Sequence, residues 1–198
     1  MSARGPDRMP PIPEERLDPA QRQAAAELAA GPRGEVSGPF VPLLRSPELL
    51  GPLQRAGAYL RWRSALPARL SELAILFTAR QWNQAFEWLS HEPLARQAGL
   101  APEIVEALRA GRRPAAMAED EAAVHDFLAE LARHRAVADP TYARALAILG
   151  ERGVVDLCAI SGYYGLLAAV MNVARTPLPG GAPDPLPPLP AGQPGSFQ

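Results

Sequence analysis

The stretch RQWNQAFEWLSHEPLARQAG, residues 80–99, sets Glu87 and His91 four positions apart in the most aromatic part of the chain. On a helix through residues 83–99, positions 84, 87, 91, 94 and 98 share one face, because alternating steps of three and four follow the helical turn. That face reads Gln84, Glu87, His91, Leu94 and Ala98, so polar groups run straight into an apolar stripe, with Trp82, Phe86 and Trp88 flanking them. A partly buried carboxylate beside an imidazole favours the imidazolium and holds one ring nitrogen, which leaves the other to exchange a proton near neutral pH. The chemistry on offer is general acid–base catalysis. The same spacing also makes an ordinary helical ion pair, and spacing alone does not tell the two apart.

Other reactive side chains are fewer. Tyr164, Ala168 and Asn172 fall on one helical face, so a phenol and an amide can point together into a pocket; on spacing alone, core packing is the better account of the tyrosines. His125, beside Asp126, and His134, between two arginines, are expected to be solvated helix residues. Cys158 lies in GVVDLCAISGYYGLLAAVMN among apolar neighbours and is expected to be a buried, inert thiol. With three histidines and one cysteine, no ligand set for a metal is evident.

The elements that must carry these groups are helices. Asp18-Pro19 opens one that runs to about Ala30 and stops at Gly31; Ser46-Pro47-Glu48 opens another, to about Ser64. Pro67 precedes a helix to about Ala79, and residues 83–99 continue it after a break. Further helices are expected at 101–110, 118–135, 139–149 and 153–174. No period-two strand with hairpin signals occurs, so the fold class is all-α. Residues 31–44, GPRGEVSGPFVPLL, form one substantial loop anchored by Phe40, either covering a site or simply connecting helices. Residues 1–14 read as a flexible arm, 15–176 as a single domain, and 177–198 as a Pro/Gly-rich tail, flexible or polyproline-like.

Composition narrows the function. The chain has 198 residues, enough to bury about 70% of its unfolded surface in one domain. All 20 cationic residues are arginines. The absence of lysine removes Schiff-base chemistry, a pyridoxal phosphate anchor and a P-loop, whereas arginine suits carboxylates. A net charge of −1 without basic blocks argues against nucleic acid or an anionic membrane as partner, and a small acidic molecule fits better. One cysteine allows neither an internal disulfide nor a Cys-x-x-Cys pair. The N-terminus lacks an apolar signal region, and the apolar runs near 165–171 are too short to span a bilayer, so a cytoplasmic protein is expected.

Taken together, LPARLSELAILFTARQWNQAFEWLSHEPLARQAGLAPEIVEAL, RGEVSGPFVPLLRSPEL before it and GVVDLCAISGYYGLLAAVMNVARTPLP after it resemble the carboxymuconolactone decarboxylase family of the alkyl hydroperoxidase D-like superfamily. The resemblance covers about residues 15–180. The superfamily pattern is a glutamate, eleven residues, Cys-x-x-Cys, three residues and a histidine. On this chain Glu72 takes the glutamate position, Gln84 and Glu87 the two cysteine positions, and His91 the histidine. Both thiols are therefore missing, which removes peroxide reduction through a thiolate and disulfide.

The resemblance implies a helical bundle and a cofactor-free lyase that removes carbon dioxide from a small carboxylated lactone or related oxo-acid. It casts His91 as the acid–base group, Glu87 as its orienter, Glu72 as a second carboxylate tuning the pair, and Arg80 as a clamp for the substrate carboxylate. Gln84, Trp82, Phe40, Tyr164 and Asn172 complete the candidate binding residues. Isomerisation, elimination or hydrolysis of a similar acid would use the same pair, and a helical oligomer that binds a small acid without turnover is the further alternative. Members of the superfamily are commonly trimers or hexamers, so the resemblance also implies a homo-oligomer.

Overall fold

Most helices begin where a cap or a proline instructs them to. Asp18 accepts from the Gln21 amide at 2.8 Å while the Gln21 side chain accepts from the Asp18 amide at 3.1 Å, and Pro19 fills the first helical position. Each thereby satisfies an amide that the first turn leaves unpaired. In the computed structural model, which describes residues 5–31 and 33–188, the helices are α1 (Pro19–Ala30), α2 (Phe40–Leu43), α3 (Pro47–Trp62), α4 (Ala68–Gln81), α5 (Ala85–Gln97), α6 (Pro102–Arg109), α7 (Glu119–His134) and α8 (Asp139–Ala174). No strand occurs among the described residues, and the fold is all-α as the sequence predicts.

The bundle is organised around α4. Its residues are buried on nearly every side, from Leu70 to Arg80, because α5, α6, α7 and α8 all pack on it. A helix with no solvent face must be apolar or internally paired all round. The few polar residues that α4 carries inward, Glu72 among them, therefore need partners. A second layer of α1, α2 and α3 closes over α8. Asp156 fastens that layer: buried on α8, it accepts from Tyr59 Oη at 3.0 Å and from the Ala65 amide at 2.7 Å.

The connection from α4 to α5 fixes the site. Asn83 takes a left-handed conformation (φ 48°), which its short polar side chain tolerates, and its Oδ1 accepts from Arg80 Nη1 at 2.6 Å. Gln84 then caps α5, its side chain accepting from the Phe86 amide at 2.7 Å. The chain reverses within three residues, so the inner faces of α4 and α5 meet.

Several expectations change. Residues 31–44 are not wholly a loop, since Phe40–Leu43 form one helical turn beneath which Phe40, Leu43 and Leu44 are buried. The two helices expected at 139–149 and 153–174 are both present, and they abut at the non-helical Gly150 (φ 69°, ψ 171°) within the span of α8. Joined in this way, α8 is long and apolar enough to cross a membrane, unlike the short runs read from the sequence; 56% of its most apolar window is buried in the bundle, as in a core helix. His125 is buried rather than solvated, edge-on to Phe77 at 5.4 Å, because α7 turns that face toward α4. His134 is exposed, as expected. Cys158 is exposed rather than buried, since α8 is apolar all round and its neighbours cover only part of it.

The termini are tied down where they are described. The Arg8 amide donates to the Ala174 carbonyl at 2.8 Å, and Arg45 donates to the carbonyls of Met9 and Pro10. Leu186 is buried in the core and Arg80 Nη2 donates to the Pro188 carbonyl at 3.3 Å, so this part of the tail lies against the bundle. Residues 1–4 of the arm and 189–198 of the tail lie outside the described residues.

Candidate functional site

Glu72 and His91 stand nineteen residues apart and meet because the α4–α5 reversal lies between them. His91 Nδ1–H donates to Glu72 Oε2 at 2.7 Å, a charge-assisted length that fixes the ring and its tautomer. His91 Nε2 lies 3.5 Å from Glu87 Oε2 on the same helix, close enough to interact but longer than a formed hydrogen bond. Glu87 and His91 are each only 4% exposed. The result is a buried line of carboxyl, imidazole and carboxyl reaching from α5 into α4.

Electrostatics separate the two acids. Burial pushes the Glu87 carboxyl above the usual carboxylate range; His91, Arg33 and Arg61 oppose this less strongly. Glu87 Oε1 is buried and has no hydrogen-bond partner. An unpaired buried oxygen is expensive, by about 1–3 kcal/mol for a neutral group and more for a charged one, so the acid form is favoured. Here, then, is a proton donor backed by an imidazole, with one oxygen free to act.

α8 supplies the aromatic wall. Tyr164 meets the His91 ring edge to face at 5.1 Å, and Tyr163 meets Tyr164 in the same way at 5.4 Å. Burial raises both phenols, so each stays an O–H, and Tyr163 Oη is buried with no partner. Beyond Tyr163 lie Gly57 of α3 and the guanidinium of Arg33, which stacks on the Phe40 ring at 4.4 Å.

Of the residues singled out in the sequence, Glu72, Glu87, His91 and Tyr164 come together, and Phe40 borders them through Arg33. Gln84 and Asn172 bind each other at 2.9 Å, and Asn172 also donates to the Trp82 carbonyl at 2.9 Å. Gln84, at a cysteine position of the superfamily pattern, thus caps α5 and ties it to α8. Trp82 is 45% exposed and faces a shallow groove with Cys158 and Gly165, away from His91. Arg80 also turns elsewhere, into a cavity of about 510 Å³ lined by Phe77, Arg113, His125 and Asp126. Its expected place as a clamp beside His91 is not where its side chain lies. The direction follows from position: on α4, residue 80 is eight beyond Glu72 and one turn from the Asn83 reversal that captures its guanidinium.

Arg33, Arg61 and Tyr163 border the site and were not among its predicted residues. Their signal was partial: Arg33 lies in the loop suspected of covering a site, and Tyr163 adjoins Tyr164. They come from three separate segments, Arg33 from the chain before α2, Arg61 from α3 and Tyr163 from α8, so only the packing of these segments sets them around Glu87. The Cys158 thiol is raised by partial burial, the opposite of an activated thiolate. Among the described residues, no three His, Cys, Asp or Glu side chains converge as metal ligands.

Neither a protein-family model nor a curated protein matches this chain. A solved structure does: the alkylhydroperoxidase AhpD core of an uncharacterized peroxidase-related protein from Ralstonia eutropha JMP134, 18% identical, covering 89% of this chain and 94% of that one with a TM-score of 0.70. At that identity the likeness speaks for the backbone alone, and the backbone of this chain has the alkyl hydroperoxidase D-like fold.

Proposed function

We propose that this chain is a cofactor-free lyase of the carboxymuconolactone decarboxylase type, acting on a small carboxylated lactone or a related oxo-acid. The observation that supports it is the buried Glu87–His91–Glu72 line ending in an unpartnered Glu87 oxygen. Loss of carbon dioxide breaks a carbon–carbon bond and leaves its electron pair on the substrate, delocalised into a conjugated carbonyl. The carbanionic carbon then needs one proton. Glu87, kept acidic by burial, delivers it from Oε1; His91 Nε2 restores the proton through Oε2 and is itself reset from water. The 3.5 Å separation shortens when substrate excludes water, as catalytic hydrogen bonds commonly do on ligand binding. Glu72 holds the ring so that Nε2 keeps facing Glu87.

Thiol peroxidase chemistry is disfavoured because the two cysteine positions carry Gln84 and Glu87. The protein works as a homo-oligomer, trimeric or hexameric, in this proposal.

His91→Ala is expected to lower carbon dioxide release from a carboxylated lactone by about 10²–10⁴-fold while leaving the helical circular dichroism unchanged. Near-normal release from that variant would remove the proposal. A rearranged product without carbon dioxide would reassign the same residues to isomerisation.

A further inference from the structure

Arg80, expected to clamp a carboxylate beside His91, lines instead a cavity of about 510 Å³ walled by α4, α6 and α7. Small-molecule sites commonly occupy about 300–1,000 Å³. Neither acid of the proton line, nor His91, lines this cavity, so it is a separate place. Its buried end is His125, 6% exposed, with its ring edge-on to Phe77 at 5.4 Å and its Nδ1 at 3.1 Å from Asp126 Oδ1. Arg113 binds both Asp126 oxygens, at 2.8 and 2.9 Å, and holds that carboxyl down at about 2. A carboxylate only accepts, so Nδ1 carries the imidazole proton. Burial lowers the His125 pKa and keeps the ring neutral, which makes Nε2 an acceptor. No donor among the described residues fills it.

The mouth of the cavity is cationic. Arg112 and Arg133 line it, both are exposed, and neither pairs with a carboxylate among the described residues. The acids alongside are committed elsewhere: Asp126 to Arg113 and Arg144, and Glu130 to the Ala138 amide at 2.8 Å. Arg80, held by Asn83 Oδ1, the Pro188 carbonyl and the charge of Asp184, adds a fixed positive charge in the wall. Phe77 and Leu108 supply apolar surface to the same space. Exposed arginines alone would mean little; here they stand over a buried acceptor that the fold leaves unanswered.

We propose that this cavity binds a hydroxylated aromatic carboxylic acid, whose hydroxyl donates to His125 Nε2, whose ring lies against Phe77 and Leu108, and whose carboxylate meets Arg112 and Arg133. Each part of the ligand answers one part of the wall. A donor is required at the buried end because an anion there would face the lone pair of Nε2. An aromatic body suits the Phe77 ring, which gains from edge or offset contact with another ring. A carboxylate at the mouth suits planar guanidinium forks that have no acid of their own. The site stands apart from the acid–base line and does not rest on it.

The test is calorimetric titration of the full chain with para-coumarate, beside cinnamate, which lacks the hydroxyl, and para-coumaryl alcohol, which lacks the carboxylate. Para-coumarate is expected to bind about tenfold more tightly than either. Arg112→Gln and Arg133→Gln, both on exposed positions, should each weaken para-coumarate and cinnamate by about tenfold and leave the alcohol unchanged. His125→Phe keeps a flat ring and removes the acceptor, so it should reduce para-coumarate to the affinity of cinnamate and leave cinnamate itself unchanged. Ala129→Trp should abolish binding of all three by filling the cavity. His91→Ala should bind para-coumarate as the parent does, whether or not it has lost turnover. Equal binding of the three compounds, binding of none, unchanged binding by Ala129→Trp, or a loss in His91→Ala matching that in Arg133→Gln would each overturn the site.

Discussion

Glu87 sits where a carboxylate is least comfortable, and the discomfort has a measurable sign. Its carboxyl is raised by burial, so between its ordinary value of 4.5 and the higher folded value the native state holds a proton that the unfolded state has released. Stability must fall as pH rises through that window. Glu87→Gln removes the ionisation, and the variant is expected to gain on the parent progressively from pH 4.5 upward in urea unfolding. It should lose turnover by about 10²–10⁴-fold, since the amide keeps the shape but has no transferable proton. A variant that loses activity without the pH-dependent gain in stability would show that Glu87 is ionised and paired in the native state. Glu87 and His91 were legible in the sequence because one helix sets their spacing. Arg33 and Arg61 were not, because they lie on the segment before α2 and on α3, more than twenty residues from Glu87 in the chain, and only tertiary packing brings them toward it.

At the scale of elements, the local signals were strong and the long-range ones weak. Pro19, Pro47 and Pro102 open helices where the sequence said they would, since a proline at the first turn forgoes no hydrogen bond. Which side of a helix is buried is a different question. α8 is apolar around most of its circumference, so periodicity cannot orient it, and Cys158 was assigned to the wrong environment for that reason; His125 was misplaced because the packing of α7 on α4, which buries it, is a long-range contact. Gly150 illustrates the boundary. It marks the end of one predicted helix, yet its φ of 69° and ψ of 171° serve to join two helices at an angle that only glycine adopts readily. Gly150→Ala is expected to cost about 1–3 kcal/mol in urea unfolding with little change in helix content. No loss would mean that the break can straighten into a continuous helix.

For the molecule as a whole, the covered and uncovered sides of α8 differ sharply. One face meets α4 and α7; the other leaves Val155 66% and Val173 57% exposed, with Leu166 between them and Trp82 45% exposed alongside. Residues 155, 162, 166 and 173 recur at helical spacing, so the apolar stripe is continuous. Contiguous apolar surface of this kind marks an interface more often than bare solvent contact. A Val155→Arg/Leu166→Arg double variant is expected to run as a 21.2 kDa monomer in light scattering, with helicity intact, where the parent runs as a larger species. A monomeric parent would count against the proposed homo-oligomer.

The lone thiol of Cys158 lies on that stripe, in the shallow groove beside Trp82 and Gly165. It takes no part in the proton chain, and its position gives it another use. A maleimide dye attached there becomes a reporter of assembly: labelling should be slow when copies cover the stripe and fast in the double variant. Because the chain has no other cysteine, the rate reads a single atom. The single thiol thus leaves the molecule with one chemical handle that is not part of the line of acids and imidazole.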